Sequence, residues 1–130
     1  MTGLIWLVQL VHYPGFALVG ESSFRDYEAF HVVRITYIVL PAMLLELLSG
    51  IALFVFASDR NWLIIANLVL LGVIWLSTAF IQVPLHSQLE AGFSQTTIAS
   101  LVKTNWIRTI AWTIRSGLLV FLVWQFSANP

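Results

Sequence analysis

The sequence predicts an all-α integral membrane protein, built as a bundle of four transmembrane helices. Three observations carry this prediction: hydrophobic residues make up 59% of the 130 residues, charged residues make up only 9%, and the mean hydropathy is +0.90. Ordinary soluble domains are about 45–50% apolar and about 25% charged. A soluble fold of this size leaves too much of its surface in water to hide so many apolar side chains. The lipid bilayer is therefore the expected solvent and main partner.

Charge and cysteine content exclude several classes of function. Six Lys and Arg residues balance six Asp and Glu residues, so the chain has no basic surface with which to bind nucleic acid. The sequence contains no cysteine, which excludes disulfides, thiolate metal sites and thiol redox cycles.

Four stretches of the chain are long and apolar enough to be membrane spans. A bilayer core about 30 Å thick requires about 20 mainly apolar residues in a helix. We expect the first stretch to remain as a helix and not to be cleaved as a signal peptide, because no Lys or Arg precedes Arg25. The four predicted spans, which together form a single domain, are residues 3–20, 35–57, 62–83 and 105–126.

The links between the spans predict their arrangement and orientation. Residues 58–61 are few and polar, so the second and third spans should be antiparallel neighbours. Links 21–34 and 85–104 mix apolar with polar and charged residues, which makes them candidates for amphipathic segments on the membrane surface. More Lys and Arg lie on their side than on the side of Arg60. The positive-inside rule then places both links in the cytoplasm and both termini outward, as in a bacterial inner-membrane protein.

A faint internal repeat suggests two duplicated hairpins. A shift of about 70 residues aligns His12-x-Pro14 with Gln82-x-Pro84. Duplicated hairpins would be related by a pseudo-twofold axis along the membrane normal. The alternative is chance, because short apolar helices align easily with one another.

Ionisable residues lie inside the predicted spans, where each costs about 2.5–3.5 kcal/mol and requires a partner, a cavity or a function. They are His12, Glu46, Arg108 and Arg115. Glu46 and Arg115 can form an ion pair that neutralises itself. Alternatively, Glu46 accepts a proton and Arg115 anchors an anionic or carbonyl-bearing ligand.

Helical spacing groups these residues with further polar side chains. Residues three or four apart share a helix face, and chain direction brings the polar faces to the half of the membrane next to the two long links. We therefore expect a pocket, closed at its apolar end, that binds a small lipophilic ligand. The catalytic candidates are Glu46, His12, Arg108 and Arg115, and the ligand-binding candidates are Gln82, Asn105, Trp112 and Thr78.

The histidines raise the alternative of a transition metal or haem. Imidazole is the commonest metal ligand, and bundle metal sites combine His and Glu from facing helices. A site made of His12, Glu46 and His86, or a haem held by two histidines, would fit this pattern. A solvated histidine near the interface is the alternative for His31 and His86.

Two motifs carry a family resemblance. They are Gln82-Val83-Pro84-Leu85-His86, and Asn105-Trp106-Ile107-Arg108-Thr109 followed by Trp112. With them, the chain resembles over nearly its whole length a family of small four-helix bacterial membrane proteins. More distantly, it resembles the membrane domain related to fungal anthrone oxygenase.

The distant resemblance implies a membrane-bound oxygenase or related oxidoreductase that acts on a lipophilic aromatic compound, with Asn105 and Arg108 in the site. His86 stands where the oxygenase-like pattern commonly has Asn, so ligand or metal use differs at that position.

The sequence therefore favours a membrane oxidoreductase with a buried polar pocket for an aromatic or quinone-like compound. In this interpretation Glu46 or His12 takes a proton from the substrate, and Arg108 or Arg115 stabilises the oxyanion. A haem- or metal-binding electron-transfer protein and a non-catalytic membrane subunit are the alternatives. Oligomeric state is left open, because no Gly-x-x-x-Gly motif is present.

Overall fold

A computed structural model describes residues 1–57 and 61–128, and over these residues all regular secondary structure is helical. The predicted all-α class is thereby confirmed. Four helices succeed one another along the chain: α1, Thr2–Leu18; α2, Glu21–Phe56; α3, Trp62–Glu90; and α4, Gln95–Ala128.

Three of the four helices are long and apolar enough to cross a membrane. They are α2 with 36 residues, α3 with 29 residues, and α4, which is apolar enough over its first 31 residues. Helix α1 is apolar but shorter, so the structure supports three full spans and leaves the first predicted span as a shorter helix.

The two long links are corrected by the structure, because most of their residues are helical. Residues 21–34 are the beginning of α2, and only residues 91–94 separate α3 from α4 within predicted link 85–104. The side chains of Phe24, Glu28 and His31 are buried in the bundle, and their spacing of four and three residues puts them on one helix face. The mixed composition of this segment therefore reflects a bundle helix with one buried face. A segment lying on the membrane surface would show the same mixture.

The turn predicted at residues 58–61 lies mostly outside the described residues. Of the four, Asn61 is described, and its side chain accepts a hydrogen bond from the backbone N–H of Leu63 at 3.0 Å. This interaction caps the beginning of α3.

A π-helical turn precedes a proline in α1 and again in α3. The wide turns are Val8–His12 and Thr78–Gln82, and the prolines are Pro14 and Pro84. Proline in a regular α-helix clashes with the carbonyl four residues earlier, and a π turn relieves this crowding. Helix α3 therefore continues past Pro84 to Glu90, and the predicted end of this span at residue 83 is corrected. The two turns are separated by the offset of the sequence repeat, which supports the duplication hypothesis.

Helix α1 lies antiparallel to α4, beside residues 102–116 of that helix. Thr2 is hydrogen-bonded to Ser116, whereas Gln9, seven residues later, is hydrogen-bonded to Asn105. Buried aromatic and aliphatic side chains from α1 to α4 form the larger core in this half of the bundle. A smaller core around Leu63 and Leu122 lies in the other half and is wholly apolar. The buried polar residues are thus concentrated in the half of the bundle that contains α1.

Candidate functional site

A cleft of about 320 Å³ lies between α2 and α3 and reaches into the bundle. Thr36, Leu40 and Val83 at its rim are exposed, so the cleft opens sideways between the two helices. Most of the surface of its wall is apolar, as in sites for small lipophilic ligands, and Tyr13, His86 and Arg108 form a polar end. The polar side chains that line it are Tyr13, Thr36, Thr78, Gln82, His86, Ser87, Glu90 and Arg108.

Arg108 is the most unusual of these groups. The residue is only 5% exposed, and the Nε atom is buried with no hydrogen-bond partner. The guanidinium lies 5.4 Å from the centre of the Trp112 ring and next to the Tyr13 hydroxyl. Within residues 1–57 and 61–128, no carboxylate forms an ion pair with it. A buried charge without a counter-charge is costly, so this end of the cleft favours an anion.

Tyr13, His86 and Glu28 form a hydrogen-bonded relay beside Arg108. The Tyr13 hydroxyl is 3.1 Å from His86 Nε2, and His86 Nδ1 is 2.6 Å from Glu28 Oε1. In the tautomer that satisfies both contacts, His86 donates to the carboxylate through Nδ1 and accepts from the hydroxyl through Nε2. The carboxylate orients the imidazole, and the imidazole is placed to accept a proton from the hydroxyl.

His12 and His31 form a second pair next to this relay. His12 Nε2 lies 2.7 Å from His31 Nδ1, and the ring of His31 stacks on the ring of His86 with centres 5.3 Å apart. His31 is buried, whereas His12 is partly exposed. All three histidines of the chain therefore lie in one cluster with Glu28.

Glu46 and Arg115 lie in a separate polar layer. Arg115 Nη1 is 2.8 Å from Glu46 Oε2, and the Trp112 indole donates to the same oxygen at 2.8 Å. The Arg115 Nε group donates to Asn67 Oδ1 at 2.9 Å. The amino group of Met1 lies 3.5 Å from the other Glu46 oxygen. The ion pair that the sequence suggested as one alternative is present, and each charge in it has a partner.

The predicted metal set of His12, Glu46 and His86 is not brought together. Glu46 lies 15 residues after His31 on α2, which is about 22 Å along a helix. In the described part of the chain, no group of three or more His, Asp and Glu side chains is arranged to hold a metal ion.

A haem held between His12 and His31 does not fit either. Their nitrogens are 2.7 Å apart and share a hydrogen bond. Two imidazoles on opposite sides of one metal ion hold their nitrogens about 4 Å apart, at about 2.0–2.1 Å per bond.

The remaining predicted ligand-binding residues divide between the cleft and other surroundings. Thr78 and Gln82 line the cleft, and the Gln82 Oε1 atom is buried without a partner. Asn105 instead donates to Gln9 Oε1 at 2.9 Å, in a buried network between α1 and α4. Trp112 separates the two polar regions, because its ring contacts Arg108 and its N–H contacts Glu46.

Comparison with protein-family models, curated proteins and solved structures gives no match. The resemblance to bacterial four-helix proteins and to the anthrone-oxygenase-like domain therefore remains a hypothesis from the motifs.

Sequence reasoning did not identify Tyr13 and Glu28 as parts of the site, whereas it placed His31 beside the predicted pocket, with a solvated histidine as the alternative. A signal is present in Glu28-Ala29-Phe30-His31, where a carboxylate and an imidazole share a helix face at a spacing of three. The mixed composition of residues 21–34 obscured it by favouring a surface link. Tyr13 gave no separate signal, because a tyrosine within an apolar helix is typical of an aromatic side chain packed in the core.

Proposed function

We propose that this chain is an integral membrane protein that binds a small lipophilic phenol or quinone-like compound in the cleft and acts on it as an oxidoreductase. The observation that carries the proposal is the buried Arg108 guanidinium, which has no carboxylate partner among the described residues and lies at the polar end of an apolar cleft. A ligand oxygen bearing negative charge would supply the missing partner.

The relay next to Arg108 supports proton transfer from such a ligand. A phenol oriented toward Arg108 would pass its proton through the Tyr13 hydroxyl to His86 while Glu28 keeps the imidazole oriented. Arg108 would stabilise the phenolate in surroundings that exclude most water. A phenolate gives up electrons more readily than a neutral phenol, so proton removal prepares the compound for oxidation.

Two further observations support the membrane setting and the reaction class. Three helices are long and apolar enough to span a bilayer, and a lipophilic substrate is concentrated in lipid. The resemblance to the anthrone-oxygenase-like domain implies oxidation of an aromatic compound, for which molecular oxygen would be the electron acceptor.

Ligand binding tests the role of Arg108. The protein in lipid nanodiscs is titrated with a lipophilic phenol and with its O-methyl ether, and tryptophan fluorescence is followed because Trp75 lines the cleft. Arg108→Gln should weaken phenol binding by roughly ten- to a hundredfold, the equivalent of a charge-assisted hydrogen bond of about 1.5–3 kcal/mol.

The ether cannot become an anion, so its affinity should be the same in both proteins. Lys103→Gln is the matched control, because it removes an exposed cation from the same helix. Equal affinity for phenol and ether, unaffected by Arg108→Gln, would refute the proposed site.

Turnover is tested separately by oxygen uptake and product analysis with the phenol that binds. We expect oxidation in the wild type and its loss in His86→Gln, with phenol binding retained. A phenol that binds tightly but is never oxidised would show a binding protein in place of an oxidoreductase.

A further inference from the structure

A second cavity, of about 150 Å³, lies on the other side of α2 from the cleft. Two of the three histidines, His12 and His31, line it, and the third, His86, lines the cleft. The full lining of the second cavity is His12, Tyr27, Phe30, His31, Arg34, Ile35 and Ile38.

Titratable groups occupy the space between the two cavities. From the cleft inward, Tyr13 contacts His86 and His86 contacts Glu28. From the second cavity inward, the partly exposed His12 contacts the buried His31. Each of these contacts joins two groups that can exchange a proton.

The two halves of this chain of groups approach each other at two unpartnered atoms, which are not in direct contact in the structure. Glu28 Oε2 and His31 Nε2 are both buried and both lack a hydrogen-bond partner. Glu28 and His31 are three residues apart on α2, so their side chains leave the same helix face within about 5–6 Å of each other. A buried polar atom without a partner requires a reason, and a transient hydrogen bond between these two atoms, formed when one of them carries a proton, would satisfy both.

We infer that Glu28, His31 and His12 form a proton path across α2, from the substrate cleft to the second cavity. The inference rests on the proposed function, because it assigns the exit of the proton taken from the bound phenol. His86 accepts that proton at Nε2 and gives its Nδ1 proton to Glu28. Rotation of the protonated Glu28 carboxyl group turns this proton from the His86 side toward His31, Glu28 gives it to Nε2 of His31, and His31 releases its Nδ1 proton to His12.

Each transfer returns the donating group to its starting charge, and rotation of each imidazole ring returns the histidine to its starting tautomer. No oxidant or reductant is consumed by the path itself. His12 completes the path by releasing its proton at the second cavity, where the cationic Arg34 favours departure of a positive charge.

The path is tested by hydrogen exchange at the histidines, which needs no ligand. Because the chain has three histidines and all lie in the cluster, selective ¹⁵N-histidine labelling reports on this cluster alone. The exchange rate of the His86 imidazole proton with water is measured by NMR in nanodiscs. His12→Gln and His31→Gln should each slow it by about tenfold or more, since glutamine can form hydrogen bonds but cannot relay protons as imidazole does.

The matched control is Tyr27→Phe, which alters the same cavity without removing a relay group. In His12→Ala, added imidazole should restore fast exchange, because it can occupy the second cavity at the place of the missing ring. A structural effect of the substitution would not respond to imidazole.

An unchanged exchange rate in both glutamine variants would mean that protons reach His86 directly through the cleft, and it would overturn the path. Failure of phenol binding would refute the proposed function but would leave the exchange result intact. The two failures are therefore distinguishable.

Discussion

Two arginines on one face of α4 show how differently a buried charge can be treated. Arg108 and Arg115 are seven residues apart, which is about two helical turns. Both are 5% exposed. Arg115 has a carboxylate and an amide as partners, whereas Arg108 has a tyrosine hydroxyl and an aromatic ring. The arginine with a carboxylate partner is suited to a structural role, and the one without a carboxylate partner is suited to hold a ligand.

Removing the partner of Arg115 should destabilise the fold. Glu46→Gln leaves a buried guanidinium with only neutral acceptors, which should lower the free energy of unfolding by about 2–3 kcal/mol. The measurement is denaturant unfolding in detergent, monitored by helical circular dichroism. Glu90→Gln, at an exposed carboxylate, is the control. Equal unfolding midpoints for the two variants would show that the ion pair contributes nothing.

Arg108→Gln should affect ligand binding and not lower the stability of the fold, which is the opposite of the effect of Glu46→Gln. It removes an uncompensated buried charge, so the unfolding midpoint should stay the same or rise, while phenol binding is weakened. The same denaturant unfolding measures the stability and the fluorescence titration measures the binding. A large loss of stability in this variant would show that Arg108 is structural.

At the scale of the helix, the π turns determine which side chains reach the cleft. Each π turn accommodates one extra residue and rotates the later residues of its helix by about 100° relative to a regular helix. In α3 the turn lies at Thr78–Gln82, next to the polar end of the cleft. Pro84, directly after it, makes a return to regular α-helix unfavourable.

This geometry predicts that one residue can be deleted from α3 at little cost. Deleting the exposed Phe80 in a Pro84→Ala background should convert the π turn to α-helix and leave both flanking segments in register. Deleting Val69, which is also exposed but lies in regular helix, should rotate all later residues of α3 and disrupt packing. Size-exclusion profiles and thermal melts in detergent would compare the two. If the two deletions lower the melting temperature equally, the π turn does not accommodate the loss of a residue.

The helices were predictable from the sequence, but the extent of each helix was not. Apolar runs located α2, α3 and α4 because lipid-facing residues are apolar over a fixed length. Residues 21–34 were misassigned because an amphipathic helix on the membrane surface and one in a bundle have the same composition. The continuation through Pro84 was not foreseen, because a π turn has no clear signal in hydropathy.

The site was predictable only in part, for a related reason. The free-energy cost of an ionisable side chain inside a membrane span drew attention to His12, Arg108 and Arg115. A charge within an apolar run is easy to see in the sequence. Glu28 lies in a segment where polar residues are common, and Tyr13 carries no charge within its apolar run, so neither was marked. Whether Glu46 contacts a histidine or an arginine depends on how far the helices are shifted relative to one another along the bundle axis. One sequence does not specify this shift.

For the molecule as a whole, helix length exceeds bilayer thickness. Helix α2 has 36 residues, which corresponds to about 54 Å against a hydrocarbon core of about 30 Å. The segment with exposed apolar side chains includes Leu48 and Phe56, so the first turns of α2 should project from the membrane.

Single-cysteine labelling tests this placement, because the chain has no native cysteine. A membrane-impermeant maleimide added to inverted inner-membrane vesicles should label Ser22→Cys, which is exposed and close to the start of α2. Leu48→Cys should stay unlabelled, although its side chain is also exposed in the isolated chain. Labelling of Ser22→Cys only from the outer side would reverse the predicted orientation.

The sideways opening of the cleft at Thr36, Leu40 and Val83 has a consequence for any measured affinity. Under the proposed function, a compound that enters through this opening arrives from the hydrocarbon of the bilayer, so its effective concentration is its mole fraction in the lipid. Adding lipid at constant total ligand should then lower occupancy by surface dilution, as though the protein had become a weaker binder. Affinities measured at different lipid-to-protein ratios would agree only after correction for the partition coefficient.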